Sequence, residues 1–239
     1  MKYLYGPIKS RRLGYSLGIN LTTPKTCTFG CIYCQIGETS ELTTLRSEYI
    51  KISDIVEELK EWKNSLKGVI PPLDYITLSG SGEPTLNNKI SELIAFLKAF
   101  LPIRIALITN ASLFSDPLVR REILDVDLIV PSLDAVTESR FVKIDRPCEE
   151  IKIEDIINGL ISLRREFKGK IWLEVMLVKG VNDDMRHIRR LKNAIDMINP
   201  DKIQINSPVR TASESGVFPV AKYKLKKIKD ILGDKAEII

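Results

Sequence analysis

A parallel α/β architecture, six strand–helix units curled into a partial barrel, follows from three features of this 239-residue chain. From residue 50 onward, apolar runs of strand length alternate with stretches of helical period. The strand-like runs are continuously apolar, as strands covered on both faces should be. The connections between units are short, which forces right-handed crossovers and therefore parallel neighbours. The expected fold is an α/β, partial (β/α)6 TIM-like barrel of mostly parallel strands. An open doubly wound sheet of six strands would show the same periodicity.

In chain order, residues 17–21 form the first expected strand, and residues 75–78, 103–108, 128–130, 171–178 and 202–205 form the next five. Ser53 is placed to cap the first helix, whose Ile55, Val56, Leu59, Trp62 and Leu66 share one face. Asn87 or Asn88 opens the second, with Ile90, Leu93, Ile94 and Leu97 facing inward. Asp116 followed by Pro117 is a cap and a first-turn proline. Later stripes are Ile156, Leu160, Leu163 and Phe167, then Ile188, Leu191, Ile195 and Ile198. Asn199-Pro200-Asp201 stops the last of these, and residues 222–232 read as a final helix with its lysines largely outward.

Composition bounds the class of protein. The chain is 44% hydrophobic and 28% charged, with no low-complexity tract and no apolar run of spanning length, so a globular protein without a membrane span is expected. No Gly/Ser/Pro-rich linker divides it, and residues 1–239 read as a single domain, with a core over about 15–207 and a helical tail over about 219–239. The first seven residues lack the apolar core of a signal peptide, which points to the cytoplasm. A net charge of +5 permits a phosphate-rich partner without establishing one.

The chemistry concentrates in Cys27-Thr28-Phe29-Gly30-Cys31-Ile32-Tyr33-Cys34. Three thiolates from one short loop can ligate three irons of a [4Fe–4S] cubane and leave the fourth iron open for a small molecule. A zinc knuckle would need a fourth ligand, and only distant Cys148 and the lone His187 are on offer. The loop follows the first strand, at the end where parallel α/β folds build their sites. One crossover later comes Gly80-Ser81-Gly82-Glu83, where glycines allow close backbone approach and Glu83 offers an acceptor for an ammonium group. A tight turn alone would look the same. Asn110, after the third strand, and Asp134, after the fourth, are further polar groups at strand ends. Capping and turn chemistry is the competing account of both. Met176 is either a core residue or part of an apolar wall.

The cysteine spacing, Tyr33, the Gly-Glu motif and the six-unit layout together resemble the radical S-adenosylmethionine (SAM) superfamily, over about residues 15–207. The resemblance implies a [4Fe–4S] cluster on Cys27, Cys31 and Cys34, with SAM on its open iron. Tyr33 would then contact the adenine, Gly80, Ser81, Gly82 and Glu83 would hold the methionyl amine, and Asn110 and Asp134 would reach the ribose or carboxylate. It also implies a one-electron donor such as flavodoxin or ferredoxin, and reductive cleavage of SAM to methionine and a 5′-deoxyadenosyl radical. No side chain need act as a catalytic acid or base in that cleavage.

Residues 6–18, 26–35, 146–147 and 204–210 are similar to a compact prokaryotic radical SAM group catalogued beside the wyosine-type tRNA synthetases, though the cysteines for a second cluster are lacking. Arg11, Arg12, Arg146 and Arg210 fall in loop-like segments, where they would either bind a phosphate or carboxylate of the substrate or pair internally. Three readings follow. The first is modification of a nucleotide or nucleic-acid base, tRNA included. The second is activation or modification of a protein partner, and the third is a non-enzymatic iron–sulfur electron carrier.

Overall fold

A computed structural model describes residues 1–68, 71–209 and 212–239. Among the described residues eight strands form one sheet, in the order β1 (Leu4–Ser10), β2 (Gly14–Asn20), β5 (Tyr75–Ser79), β6 (Arg104–Thr109), β7 (Leu128–Pro131), β8 (Lys170–Met176), β9 (Lys202–Asn206) and β10 (Ala236–Ile238). The six expected strands are β2 (Gly14–Asn20), β5 (Tyr75–Ser79), β6 (Arg104–Thr109), β7 (Leu128–Pro131), β8 (Lys170–Met176) and β9 (Lys202–Asn206), and each neighbouring pair is parallel. The pairing sequence ends at β1 and β10, so the barrel is not closed.

Two further strands of this sheet were not expected. β1 (Leu4–Ser10) is antiparallel to β2, and its register shifts between Tyr5 and Ile8, around Pro7. An edge strand tolerates such a proline, which masks it in the sequence. β10 (Ala236–Ile238) follows the last helix and pairs in parallel with β9. Three residues are too few for a periodicity, so the tail read as helix alone.

The intervening helices are α1 (Ile52–Ser65), α2 (Ile90–Phe100), α3 (Pro117–Glu122), α4 (Glu138–Ile144), α5 (Ile153–Glu166), α6 (Met185–Ile198) and α7 (Lys222–Leu232). Asp116 caps α3 by accepting from Leu118 N, and Asn199 ends α6 in the left-handed region. Ser53 does not cap α1, because it lies inside the helix; Glu48 accepts from Ile52 N instead, at 2.9 Å. Asn87 precedes α2, accepting from Lys89 N and donating to the buried carbonyls of Leu21 and Ile50.

Alternation along the strands separates two apolar regions. Ile105 and Leu107 of β6 pack with the helices in the main core, whereas Ala106 joins Leu13, Tyr75, Leu128 and Val130 in a smaller cluster. Each fully buried Leu or Ile in these clusters is worth about 2 kcal/mol relative to exposure. Nearer the strand ends that carry the cysteine loop, polar groups replace them: Glu174, Gln204 and Asn206 are all buried. Among the described residues no helix is long and apolar enough to cross a membrane.

Candidate functional site

The cysteine loop leaves the C-terminal end of β2 and is pinched at its base. Thr26–Cys27 (β3) pairs in parallel with Glu41–Leu42 (β4), and Thr43 N donates to Cys27 O. The segment after α4 then grips the loop from one side. Gly30 N donates to Asp145 O and Arg146 O, Ile32 N to Ile144 O, and Cys148 N to Thr28 O, each at 3.0 Å. Phe29 meets Phe141 edge-on at 5.3 Å, and Ser213 Oγ donates to the carbonyls of Cys31 and Ile32. Cys148 is thus a buried brace for the loop and not a member of its thiol set.

The sulfurs sit in unlike surroundings. Burial, followed by the charge of Glu83, pushes the Cys27 thiol up to about 12. Burial, followed by Asp145, holds Cys31 well above the usual thiol range, and Cys31 Sγ lies 3.6 Å from Asp145 Oδ1. Cys34 instead receives a hydrogen bond from Lys25, whose buried Nζ lies 3.0 Å from Cys34 Sγ and also donates to Gly37 O. Nearby carboxylates oppose ionisation of a thiol.

Gly80, Ser81, Gly82 and Glu83 follow β5 directly. Gly80 has φ +128°, and a Cβ there would lie 2.1 Å from Asn20 Oδ1; one on Gly82 would lie 1.7 Å from Thr26 O. These glycines therefore let the turn abut β2 and the base of the cysteine loop. Glu83 is buried, and burial raises its carboxyl above the usual range despite four donors. Oε1 accepts from Thr85 N, Thr85 Oγ1 and Thr109 Oγ1, and Oε2 accepts from Asn110 N at 2.7 Å. Asn110 carries the chain of contacts onward, with Nδ2 donating to Thr28 Oγ1 at 2.7 Å and lying 3.7 Å from Cys27 Sγ.

Tyr33 donates its hydroxyl to Asp134 Oδ2, and Asp134 Oδ1 accepts from Met176 N at 2.7 Å. Asp134 is therefore anchored by the protein itself. Burial lifts its carboxyl to about 7, and burial together with the Asp134 charge lifts neighbouring Asp145 well above the carboxylate range. Two adjacent buried carboxyls oppose each other's ionisation. His187 is buried in α6 with Nε2 3.3 Å from Asp134 O, so it backs this group and is not a surface residue.

Beside Cys34 opens a cleft of about 420 Å³, bounded by Tyr33, Met176, Asn206 and the β1–β2 turn. Arg11 and Arg12 both line it. Arg12 pairs with Glu174, which also accepts from Asn206 Nδ2 at 2.9 Å. Arg146 lies on the opposite flank of the loop, paired with Glu214. Arg210 lies outside the described residues.

A family model described as the Radical SAM superfamily matches residues 21–191. The chain belongs to the radical SAM superfamily. It is 35% identical over its whole length to UPF0026 protein MJ1312 of Methanocaldococcus jannaschii, covering 73% of that protein. It is 39% identical over 95% of its length to a Brachyspira hyodysenteriae protein named GTPase Obg, of which it spans only 33%. Further relatives bear names of two chemistries. One is a probable dual-specificity RNA methyltransferase RlmN of Thermotoga maritima, 26% identical over 91% of this chain and 63% of that protein. The other is a putative glycyl-radical enzyme activating enzyme of M. jannaschii, 30% identical over 66% of this chain and 55% of that protein. The fold is shared with TYW1 bearing a lysine-pyruvate adduct, at TM-score 0.67 and 19% identity over 91% of this chain and 72% of that one.

Radical SAM membership implies a [4Fe–4S] cluster and SAM as cofactors. The donor set suits a cluster better than a lone ion. Three soft thiols share one loop, and among the described residues no three His, Cys, Asp or Glu side chains are grouped as one metal ion would require. For this radical SAM chain, sequence reasoning missed Lys25, Asp145 and the Arg12–Glu174–Asn206 network. Lys25, two residues before Cys27, was within reach of inspection. The others become neighbours of the site only through the fold.

Proposed function

We propose that this chain is a cytoplasmic radical SAM enzyme, its residues 1–239 acting as one domain, that modifies a nucleotide or a nucleic-acid base such as one in tRNA. The observation that carries the reading is the linked arrangement of Cys27, Asn110 and Glu83: the cysteine loop and the Gly-Glu turn are one hydrogen-bonded unit at the strand ends. Cys27, Cys31 and Cys34 would hold the cluster. When bound with SAM, and given an electron from a donor such as flavodoxin or ferredoxin, it supplies a 5′-deoxyadenosyl radical that takes hydrogen from the substrate.

The chain's own residues prepare that chemistry. Gly80, Ser81, Gly82 and Glu83 set the turn for the methionyl amine. Glu83 spends most of its acceptor capacity on Thr85, Thr109 and Asn110, so it fixes the turn's shape and leaves Oε2 one free acceptor position. Asn110 couples the turn to Cys27, and Asp134 orients Tyr33 for the adenine.

The substrate class rests on the basic cleft beside Cys34 and on the relative named as an RNA methyltransferase. Action on a protein partner is the second reading, supported by the relative named as a glycyl-radical enzyme activator. Anaerobic reconstitution with iron, sulfide, SAM and dithionite should yield 5′-deoxyadenosine, and a Cys27→Ala/Cys31→Ala/Cys34→Ala variant should yield none. A reconstituted cubane that leaves SAM intact would refute the enzyme reading and favour an electron carrier.

A further inference from the structure

The turn between β1 and β2 is built rigidly and carries charges that the protein does not use. Ser10 Oγ accepts from Arg12 N and Leu13 N, both at 3.2 Å, and Leu13 is buried in the small inner cluster. Gly14 has φ +69°, where a Cβ would lie 2.2 Å from Asp74 Oδ2, the atom that accepts from Tyr15 N. Arg12 is committed to Glu174. Lys9 and Arg11 are exposed at the cleft and have no ion-pair partner among the described residues.

The rim beside these cations is also apolar. Ile36 on the cysteine loop is 59% exposed and Ile8 on β1 is 49% exposed, and both line the same cleft. Tyr33 and Cys34 close its inner end. Among the described residues lining the cleft, Glu174 is the one carboxylate and it pairs with Arg12, so Lys9 and Arg11 border an opening with no free acid among those residues. An uncharged peptide backbone would leave both cations unpaired. A flat apolar ring joined to an anion would satisfy lips and cations together.

We propose that this cleft binds a nucleoside phosphate: the base lies between Ile8 and Ile36, the phosphate rests on Lys9 and Arg11, and the sugar or base edge points toward Cys34. The proposal rests on the nucleotide-modifying reading above and locates where that substrate sits. Because the backbone of the turn is fixed before binding, the ordering cost is confined to the Lys9 and Arg11 side chains.

The test compares wild type with Lys9→Glu/Arg11→Glu, two exposed positions outside the SAM cradle, and with the charge-conserving Lys9→Arg/Arg11→Lys. Probes are fluorescein-labelled total tRNA and the four nucleoside monophosphates, titrated across a salt series. The reversal variant should bind tRNA at least about tenfold more weakly and show a salt slope smaller by about two, while the conservative variant retains wild-type binding. Competition by a monophosphate identifies a free nucleotide as the source; tRNA binding without such competition identifies a residue within RNA. Equal binding by the reversal variant overturns the cleft assignment, as does wild type that binds neither probe. In both cases, continued 5′-deoxyadenosine formation shows that the radical SAM reading itself still stands.

Discussion

The two flanks of the cysteine loop are opposites. On the Cys31 flank, backbone bonds from residues 144–148, two bonds from Ser213, and the Arg146–Glu214 pair immobilise the chain. The carboxyls there, Asp134 and Asp145, are buried. On the Cys34 flank a buried lysine donates to the sulfur, and beyond it the cleft is open, rimmed by exposed isoleucines and by Lys9 and Arg11, which have no ion-pair partner among the described residues. One loop therefore has a heavily braced side, which borders a cavity of about 380 Å³, and a side that opens beside Cys34. Under the proposed function, the braced side would keep the ligand set's geometry and the side beside Cys34 would admit the substrate.

The largest expected effect breaks the rigid side. Gly82→Ala forces a methyl into Thr26 O at the base of the loop, and should cost about 3 kcal/mol or more and lower retained iron. Thermal melting and iron analysis of the reconstituted protein would show it; an unchanged melt means that the turn is not clamped there. Next, truncating one partner of an ion pair should hurt more in the cleft than at the surface. Glu174→Ala strands Arg12 and Asn206 and should cost about 2 kcal/mol. Arg146→Ala removes an exposed pair and should cost under about 1 kcal/mol. Equal losses in denaturant titrations would erase the distinction between flanks.

The smallest expected change is electrostatic. Lys25→Met removes a buried positive charge and a donor from Cys34 without altering the loop's anchors on the other flank. Because a cation stabilises the more negative, reduced state, the cluster's midpoint potential should fall. Spectroelectrochemistry of the reconstituted protein, with electron paramagnetic resonance of the reduced form, reads the shift. An unmoved potential would mean that Lys25 serves only to hold Gly37.

Legibility differed sharply between residues. Cys27, Cys31, Cys34 and the Gly-Glu turn were plain because their signal is a short spacing, and β5 to β9 were plain because long apolar runs mark buried parallel strands. Ser53 misled because propensity describes a residue's habits, while neighbours decide its role. Ser53 fell one residue inside its helix, and His187, flanked by arginines in the sequence, points inward against Asp134. Asp134 and Glu83 were read as groups facing a ligand, and the fold gives both a web of protein donors.

By itself the sequence determined the order of the six central strands and their main helices and the loop that carries three thiols, since both are written within a few residues of local chain. Only the tertiary structure decided that the sheet stays open and that an eighth strand forms from the tail. It alone set Asp145 against Cys31 and Arg12 against Glu174, pairs 114 and 162 residues apart. Such contacts depend on how far strands twist and where crossovers land. No local pattern encodes them, because their energy is gained only after the intervening chain has folded.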